Sequence, residues 1–351
     1  MKKVFIRKLL PFSIVAAIVP GTAMAELTVD AYGSLRIQAE SVSVDSLSTT
    51  SQGLSDDDSY TGLRDAYSRF GVTASYPLSG GTTLGAKIEV PFNSAELKIN
   101  DPTGFAAYYK DPNSLDNNYP RIYKITASGN WGSVAIGKQW LTFYNYVAYP
   151  VDYFSSFYSG WSTYAYFRRE AVTYTSPSFA GFSFAASAVD VSDSPDSNYL
   201  DTMHYALSYS SDGFTISAAM EDQEENIGDA QTYGISASYT TGPWRFATKY
   251  EETDNNVSIY NLYGSYNMGK YTFKAHVSEG DDNGYAPGTV IHLGTDYQYT
   301  KNLKVFVEYF SEETGYAVLP DKDIGDYLAD NGYASFGEDT QAIAIGARYD
   351  F

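Results

Sequence analysis

From residue 26 onward the chain alternates apolar and polar positions with a period of two, in segments of roughly ten residues, and sustains no 3.6-residue period. Between Arg69 and Leu78, the residues Phe70, Val72, Ala74, Tyr76 and Leu78 share one face, opposite Arg69, Gly71, Thr73 and Ser75. Between Thr82 and Phe92, Leu84, Ala86, Ile88, Val90 and Phe92 oppose Thr83, Gly85, Lys87 and Glu89. Only Ser79-Gly80-Gly81 separates the two, which predicts a tight hairpin. Sixteen such strands are predicted, near residues 27–40, 64–78, 82–92, 119–129, 131–141, 169–177, 181–190, 201–210, 213–221, 231–240, 243–252, 257–267, 270–279, 289–299, 302–312 and 340–351.

The connections alternate between short ones (Ser79–Gly81, Asn130, Ser178–Ala180, Ser211–Asp212, Thr241–Gly242, Met268–Gly269, Lys301) and mostly longer ones. An even strand count with this rhythm predicts an all-β fold, a 16-stranded antiparallel transmembrane barrel with both termini on the short-turn, periplasmic side. A β-sandwich would also alternate, but its strands are shorter and it lacks the rhythm of long loops and short turns. The long loops 41–63, 93–118, 142–168 and 313–339 decorate the barrel, and no segment reads as a domain linker or plug.

Composition supports the barrel. Mean hydropathy is −0.29 and no second run of 18 apolar residues exists, yet Tyr (34) and Phe (19) are abundant. Both follow if only alternate residues face lipid and aromatic side chains gather in two interfacial girdles. Residues 1–25 read as a cleaved signal peptide: Lys2, Lys3, Arg7 and Lys8, an apolar stretch from Leu9 to Val19, and the small-residue end Ala23-Met24-Ala25. That stretch is too short for a membrane-spanning helix. The mature barrel is then 26–351, with 19 Lys and Arg against 42 Asp and Glu, a formal charge of −23. So acidic a chain argues against nucleic acid as a partner. The absence of cysteine excludes disulfides, thiolate metal sites and a cysteine nucleophile.

An enzyme would need a nucleophile or paired carboxylate beside a histidine. The three histidines, His204, His276 and His292, fall on three separate strands, each on the polar, lumen-facing register. No metal-ligand spacing, phosphate loop or nucleophile elbow occurs, so neither catalysis nor a cofactor is expected. Arg36, Arg69, Lys87, Lys124 and Arg169 also fall on the lumen register, as they must, because a charge facing lipid at mid-bilayer costs roughly 2–4 kcal/mol. The last strand sets Ile343, Ile345, Ala347, Tyr349 and Phe351 on one face and ends on Phe351. It resembles the C-terminal signal by which outer-membrane barrels engage the barrel-assembly machinery.

The mature chain resembles the Gram-negative general porin family through Val29-Asp30-Ala31-Tyr32-Gly33, Ser68-Arg69-Phe70-Gly71, Gly137-Lys138-Gln139 and Thr173-Tyr174-Thr175-Ser176-Pro177-Ser178-Phe179-Ala180-Gly181, in that order and spacing. The resemblance implies an outer-membrane homotrimer. It also implies a third loop folded into the barrel, where a basic row on the wall faces loop carboxylates across a constriction. Carried over, Arg69 and Lys138 match wall positions, lysine replacing arginine at the second, and Arg169 or the adjacent Arg168 matches the arginine that ends the loop. Ser34 stands where the family has a first-strand lysine, and Arg36 follows on the same face. Asp152 in Pro150-Val151-Asp152-Tyr153-Phe154 is nearest to the loop carboxylate, with Glu170 as a second. The family's phenylalanine-glycine-glycine continuation is missing, and Phe154, Phe157, Tyr158, Trp161, Tyr164, Tyr166 and Phe167 stand in and after its place.

The expected function is passive passage of ions and small hydrophilic solutes, with a cation preference drawn from the 42 carboxylates. Three alternatives stay open. They are a porin selective for saccharides or an anion, since aromatic faces stack on pyranose rings; a barrel enzyme; and an adhesive barrel whose third loop projects outward. The acidic runs Asp56-Asp57-Asp58, Glu221-Asp222 with Glu224-Glu225, and Asp281-Asp282 are placed in outer loops, solvated or bridged by divalent cations to lipopolysaccharide phosphates.

Overall fold

A computed structural model describes residues 26–49, 55–97, 120–158, 163–190, 202–223, 230–254, 257–281, 288–313, 333–335 and 339–351. The expected signal peptide, Trp161, Glu224, Glu225 and Asp282 lie outside them. The barrel strands are β1 (Thr28–Thr49), β2 in two pieces (Ser55–Asp65 and Arg69–Pro77), β3 (Thr83–Pro91), β4 (Ile122–Gly129), β5 (Gly132–Trp140), β6 (Arg168–Thr175), β7 (Phe182–Asp190) and β8 (Thr202–Ser211). They continue as β9 (Phe214–Gln223), β10 (Gln231–Thr241), β11 (Trp244–Thr253), β12 (Ser258–Met268), β13 (Tyr271–Asp281), β14 (Thr289–Gln298), β15 (Leu303–Glu312) and β16 (Asp339–Asp350). Each pairs antiparallel with its chain neighbours, and β1 closes the barrel on β16 from Ser34↔Asp350 to Asp45↔Asp339. A short segment, Tyr333–Ser335, extends the end of β1.

The period-two pattern maps directly onto the wall. Ile88, Ile125, Ile136 and Leu262 are 54–66 % exposed on the outer face, a surface that only hydrocarbon solvates well. Trp131, Trp244, Tyr271 and Tyr349 girdle the short-turn end, while Tyr205, Tyr233 and Tyr260 lie towards the other. Phe351 makes the last rung of closure: the Gly33 amide donates to the Phe351 carbonyl at 2.9 Å, and the Phe351 amide returns a bond to Gly33 at 3.0 Å. The Phe351 ring covers Gly33, where a Cβ would meet it at 2.2 Å.

The segment expected as loop 41–63 is mostly strand, because β1 and β2 continue as a paired hairpin through Ser41↔Thr61 and Val42↔Tyr60. The alternation of Val42 and Val44 with Ser41 and Ser43 carries the pattern on, and Val42 is buried against loop residue Tyr158. The Asp56-Asp57-Asp58 run therefore lies on strand backbone, and Glu221 and Asp222 lie within β9 rather than in a loop. β2 is interrupted at residues 66–68, where Tyr67 has a φ of 69° and the pairing with β1 shifts by one residue. Asp65 holds the interruption by accepting bonds from the amides of Ser68 (2.9 Å) and Ser94 (3.1 Å). Ser68 Oγ accepts from the Arg36 amide at 2.8 Å and donates to the Arg36 carbonyl at 2.9 Å. This bulge therefore fixes the backbone that carries Arg36 and Arg69.

Within β5, Gly137 has a φ of 122°, and a Cβ there would lie 2.2 Å from the Tyr123 carbonyl oxygen of β4. We expect Gly137→Ala to destabilise the barrel by about 1–3 kcal/mol. This would be read as a lower urea midpoint for loss of the heat-modifiable gel band; an unchanged midpoint would refute it.

Candidate functional site

The third loop, between β5 and β6, runs inside the barrel. After Leu141 it makes a π-helical turn (Tyr144–Ala148) and a 3-10 turn (Tyr149–Val151). Phe143 and Val147 pack with Ala206 and Ala219, over Gly234, where a Cβ would meet them at 2.6 and 2.7 Å. Val151 packs with Ala247 and Tyr263. Phe154 stacks on His292 with ring centroids 3.5 Å apart, and Tyr158 stacks on Phe310 at 5.2 Å. The loop thus follows the inner wall from β8 round to β15 and β1.

A chain segment crossing a lumen leaves its own amides unpartnered, and here wall carboxylates satisfy them. Glu308 accepts the amides of Ser155 (2.8 Å) and Ser156 (2.9 Å) while paired with Lys274 (2.8 Å) and His292 (3.1 Å). Glu251 accepts the Thr163 hydroxyl at 3.0 Å and the Tyr164 amide at 2.5 Å beside Lys249 at 2.8 Å. Glu221 accepts the Tyr166 amide at 2.7 Å beside His204 at 2.9 Å, and His204 Nδ1 accepts the Phe143 amide at 3.3 Å. Glu40 accepts the Tyr158 hydroxyl at 2.6 Å and pairs with Arg64 at 2.9 Å. Each carboxylate is 0–2 % exposed; Glu40, Glu251 and Glu308 have an Arg or Lys partner, which offsets the desolvation penalty of burying them, and Glu221 is held by the Tyr166 amide beside the His204 ring.

Opposite the loop, a basic row crosses five neighbouring strands. Lys304 on β15 lies opposite Arg348 on β16, Arg348 lies opposite Arg36 on β1, and Ser34 on β1 lies opposite Arg69 on β2. Arg36 Nε donates to Ser34 Oγ at 2.8 Å. Glu89 on β3 gathers Arg121 (3.1 Å), Lys87 (3.5 Å), Arg69 (3.8 Å) and the Tyr32 hydroxyl (2.8 Å). Asp350 and Asp296 pair with Arg348 and Lys304, each at 2.8 Å, offsetting the repulsion of cations set side by side.

Asp152, half-buried where the 3-10 turn ends, faces this row. It accepts the Tyr144 hydroxyl at 2.7 Å and lies in the field of Arg36 and Arg121. Burial pushes its carboxyl above the ordinary value, against the pull of the Tyr144 bond and the two guanidiniums. The structure therefore brings together Arg36, Arg69 and Asp152. Arg169 also faces inward, beside Gln139, with its guanidinium over the Tyr166 ring.

Lys138 and Glu170 point away from the lumen, and Arg168 shares their register at the very start of β6. Lys138 alternates with the inward Gln139 and shares the register of Ile136, while Glu170 and Arg168 share that of Val172, which is 42 % exposed on the outer face. Lys138 lies directly opposite Glu170 and Tyr123, and the Tyr123 hydroxyl donates to Glu170. The Arg168 guanidinium lies over the Trp140 ring, 5.4 Å from its centroid, where the end of β5 passes into the third loop and Trp140 stacks on Tyr144. The match to Gly137-Lys138-Gln139 sets sequence position, but the strict period of two decides the face. Sequence reasoning missed Arg121, Arg348, Lys304 and Glu89 as members of the site. Arg348 was findable, because it occupies the face of β16 opposite Tyr349 and Phe351.

A family model described as Gram-negative porin matches residues 13–351. No curated sequence matches at a significant level. Among solved structures, the chain is similar to an anion-selective porin from Comamonas acidovorans (TM-score 0.69, 16 % identity, covering 93 % of this chain and 100 % of that one). It is also similar to OmpF of Salmonella typhi in complex with daunomycin (TM-score 0.62, 19 %, 92 % and 97 %) and to the trimer form of OmpT of Vibrio cholerae (TM-score 0.57, 17 %, 93 % and 99 %). A closed barrel of sixteen strands, an inward third loop and a family match over nearly the whole chain lead to one conclusion: the chain belongs to the Gram-negative porin family and is an outer-membrane β-barrel channel.

Proposed function

We propose that the chain forms a passive, water-filled pathway for ions and small hydrophilic solutes, and that its narrow zone prefers anions. One observation carries the second clause. The cations beside the pathway, Arg69, Lys87, Arg121, Lys304 and Arg348, have side chains 12–33 % exposed, whereas the carboxylates Glu40, Glu221, Glu251 and Glu308 are 0–2 % exposed and spent on the loop; of the carboxylates within the row, Glu89 is 4 % and Asp296 10 % exposed, and only Asp350, paired with Arg348, is more open at 46 %. The total of −23 favours cations at the mouth, but field lines concentrate where the aqueous gap is narrowest. His204 and His292 are likewise engaged in holding the loop, which supports a channel rather than an enzyme.

The working unit in this proposal is a homotrimer. The Lys138, Glu170 and Tyr123 cluster on the outer register supports it, because lipid solvates such polar and charged groups poorly and a neighbouring subunit can shield them from it. In this reading Phe351 serves as the signal for the assembly machinery, and acidic groups near the long-loop end such as Asp222 and Glu252 serve contact with lipopolysaccharide through divalent cations.

The test is conductance of the purified protein in a planar bilayer across a potassium chloride gradient. Conductance in steps of three with a reversal potential on the chloride side is expected. A potential on the potassium side would overturn the anion preference, and silence from a folded, heat-modifiable barrel would overturn the channel itself.

A further inference from the structure

We propose that the constriction selects small aromatic carboxylates, with the carboxylate held by the guanidinium row and the ring laid on the third loop; the inference rests on the channel reading above. The loop presents a continuous aromatic ledge. Trp140 stacks on Tyr144 (4.5 Å between centroids), Tyr144 meets Tyr149 (6.2 Å), Tyr149 meets Tyr153 (5.3 Å), and Tyr153 meets Tyr263 on the wall (5.5 Å). Of these rings Tyr149, in the middle, is 48 % exposed and offers its face to a solute, with Tyr144 and Tyr263 buried behind it.

Ledge and basic row adjoin at one corner, where the Arg121 guanidinium lies 5.2 Å over the Trp140 ring while its Nη1 pairs with Glu89. They face one another at Asp152, which lies three residues beyond Tyr149 and in the field of Arg36 and Arg121. A solute in this gap therefore meets guanidinium donors on one side and a ring face on the other.

The donor and acceptor inventory narrows the solute class. Guanidinium and ammonium groups only donate, so the row serves acceptors and suits the two parallel oxygens of a carboxylate. Asp152, the acceptor on the loop side, is already taken by the Tyr144 hydroxyl. A neutral pyranose would find few acceptors for its hydroxyl protons. An aromatic ammonium ion would be drawn to the ring faces but repelled by the row. An aliphatic carboxylate would use the row and leave the ledge idle.

The experiment compares benzoate with cyclohexanecarboxylate, equal in charge and near in size, as blockers of potassium chloride current through single channels of the full-length protein, with glucose and benzylammonium as further probes. Benzoate is expected to dwell roughly two- to tenfold longer than cyclohexanecarboxylate, the range that stacking of one aromatic pair supplies. The ratio should fall towards one in Tyr149→Leu, which keeps apolar bulk and removes the ring. Both acids should lose dwell time in Arg69→Gln, whose guanidinium is partly exposed. Equal dwell of the two acids in the unaltered protein would overturn the proposal in favour of charge alone. Longer dwell of glucose or benzylammonium would overturn it in favour of those classes. Absence of potassium chloride current would instead overturn the channel reading on which it rests. The comparison of acids on the unaltered protein holds even if a variant fails to assemble.

Discussion

Glu308→Ala is expected to free the tip of the third loop and to cost the barrel about 3–5 kcal/mol, the scale seen when one partner of a buried ion pair is removed. Four groups lose their acceptor at once: the amides of Ser155 and Ser156, the Lys274 ammonium and the His292 ring. Lys274 keeps Asp296 at 3.0 Å, so part of its charge remains compensated, whereas the two loop amides lose the carboxylate that accepts them. Two measurements check it. The urea midpoint of the heat-modifiable band should fall, and single-channel current should become larger and noisier as the tip leaves the wall. Glu308→Gln, which retains an acceptor oxygen and the side-chain shape, should lose less in both. If Glu308→Ala leaves both quantities at their original values, the carboxylate is not what holds the loop.

Replacing both Arg36 and Arg69 with Glu should turn the ion preference round. In a water-like medium a unit charge acts on an ion about 6 Å away with roughly 0.7 kcal/mol, and two reversals change the wall by four charges. Screening at 0.1 M salt removes a good part of this, and about 1.4 kcal/mol remains, or roughly a tenfold change in the permeability ratio. The new carboxylates would be accommodated, since Arg348 and Arg121 flank them. The reversal potential across a salt gradient is the readout, and a shift much below tenfold would mean that the outer mouth, not this row, controls selection.

How much of this was legible in sequence depends on what kind of rule each feature obeys. Strand number, closure and the short-turn rhythm follow from a local period of two, and they are written at every segment from Phe70 to Phe351. The inward faces of Arg36, Arg69 and the three histidines follow from the same period. The length of β1 and β2 was missed because polar strand extensions above the membrane look like loop by composition, although Val42 still alternates. Lys138 and Glu170 lie off the face that the motif match implies, because the period of two puts them with Ile136 and Val172. Arg121 and Glu89 could not be joined by inspection. Arg121 lies just outside its strand, 32 residues along the chain from Glu89, and only the loop and wall geometry sets them together.

The partners that hold the third loop lie far away in the chain: 153 residues separate Ser155 from Glu308, 118 separate Tyr158 from Glu40, and 87 separate Tyr164 from Glu251. No hairpin can supply them during early folding, and the Glu40 and Glu308 ends meet only when first and last strands have joined. The selective gap must therefore be the last part of the molecule to take shape. A barrel caught before closure would have walls but no filter, and any delay in seating Phe351 against Gly33 would be felt as a delay in acquiring selectivity.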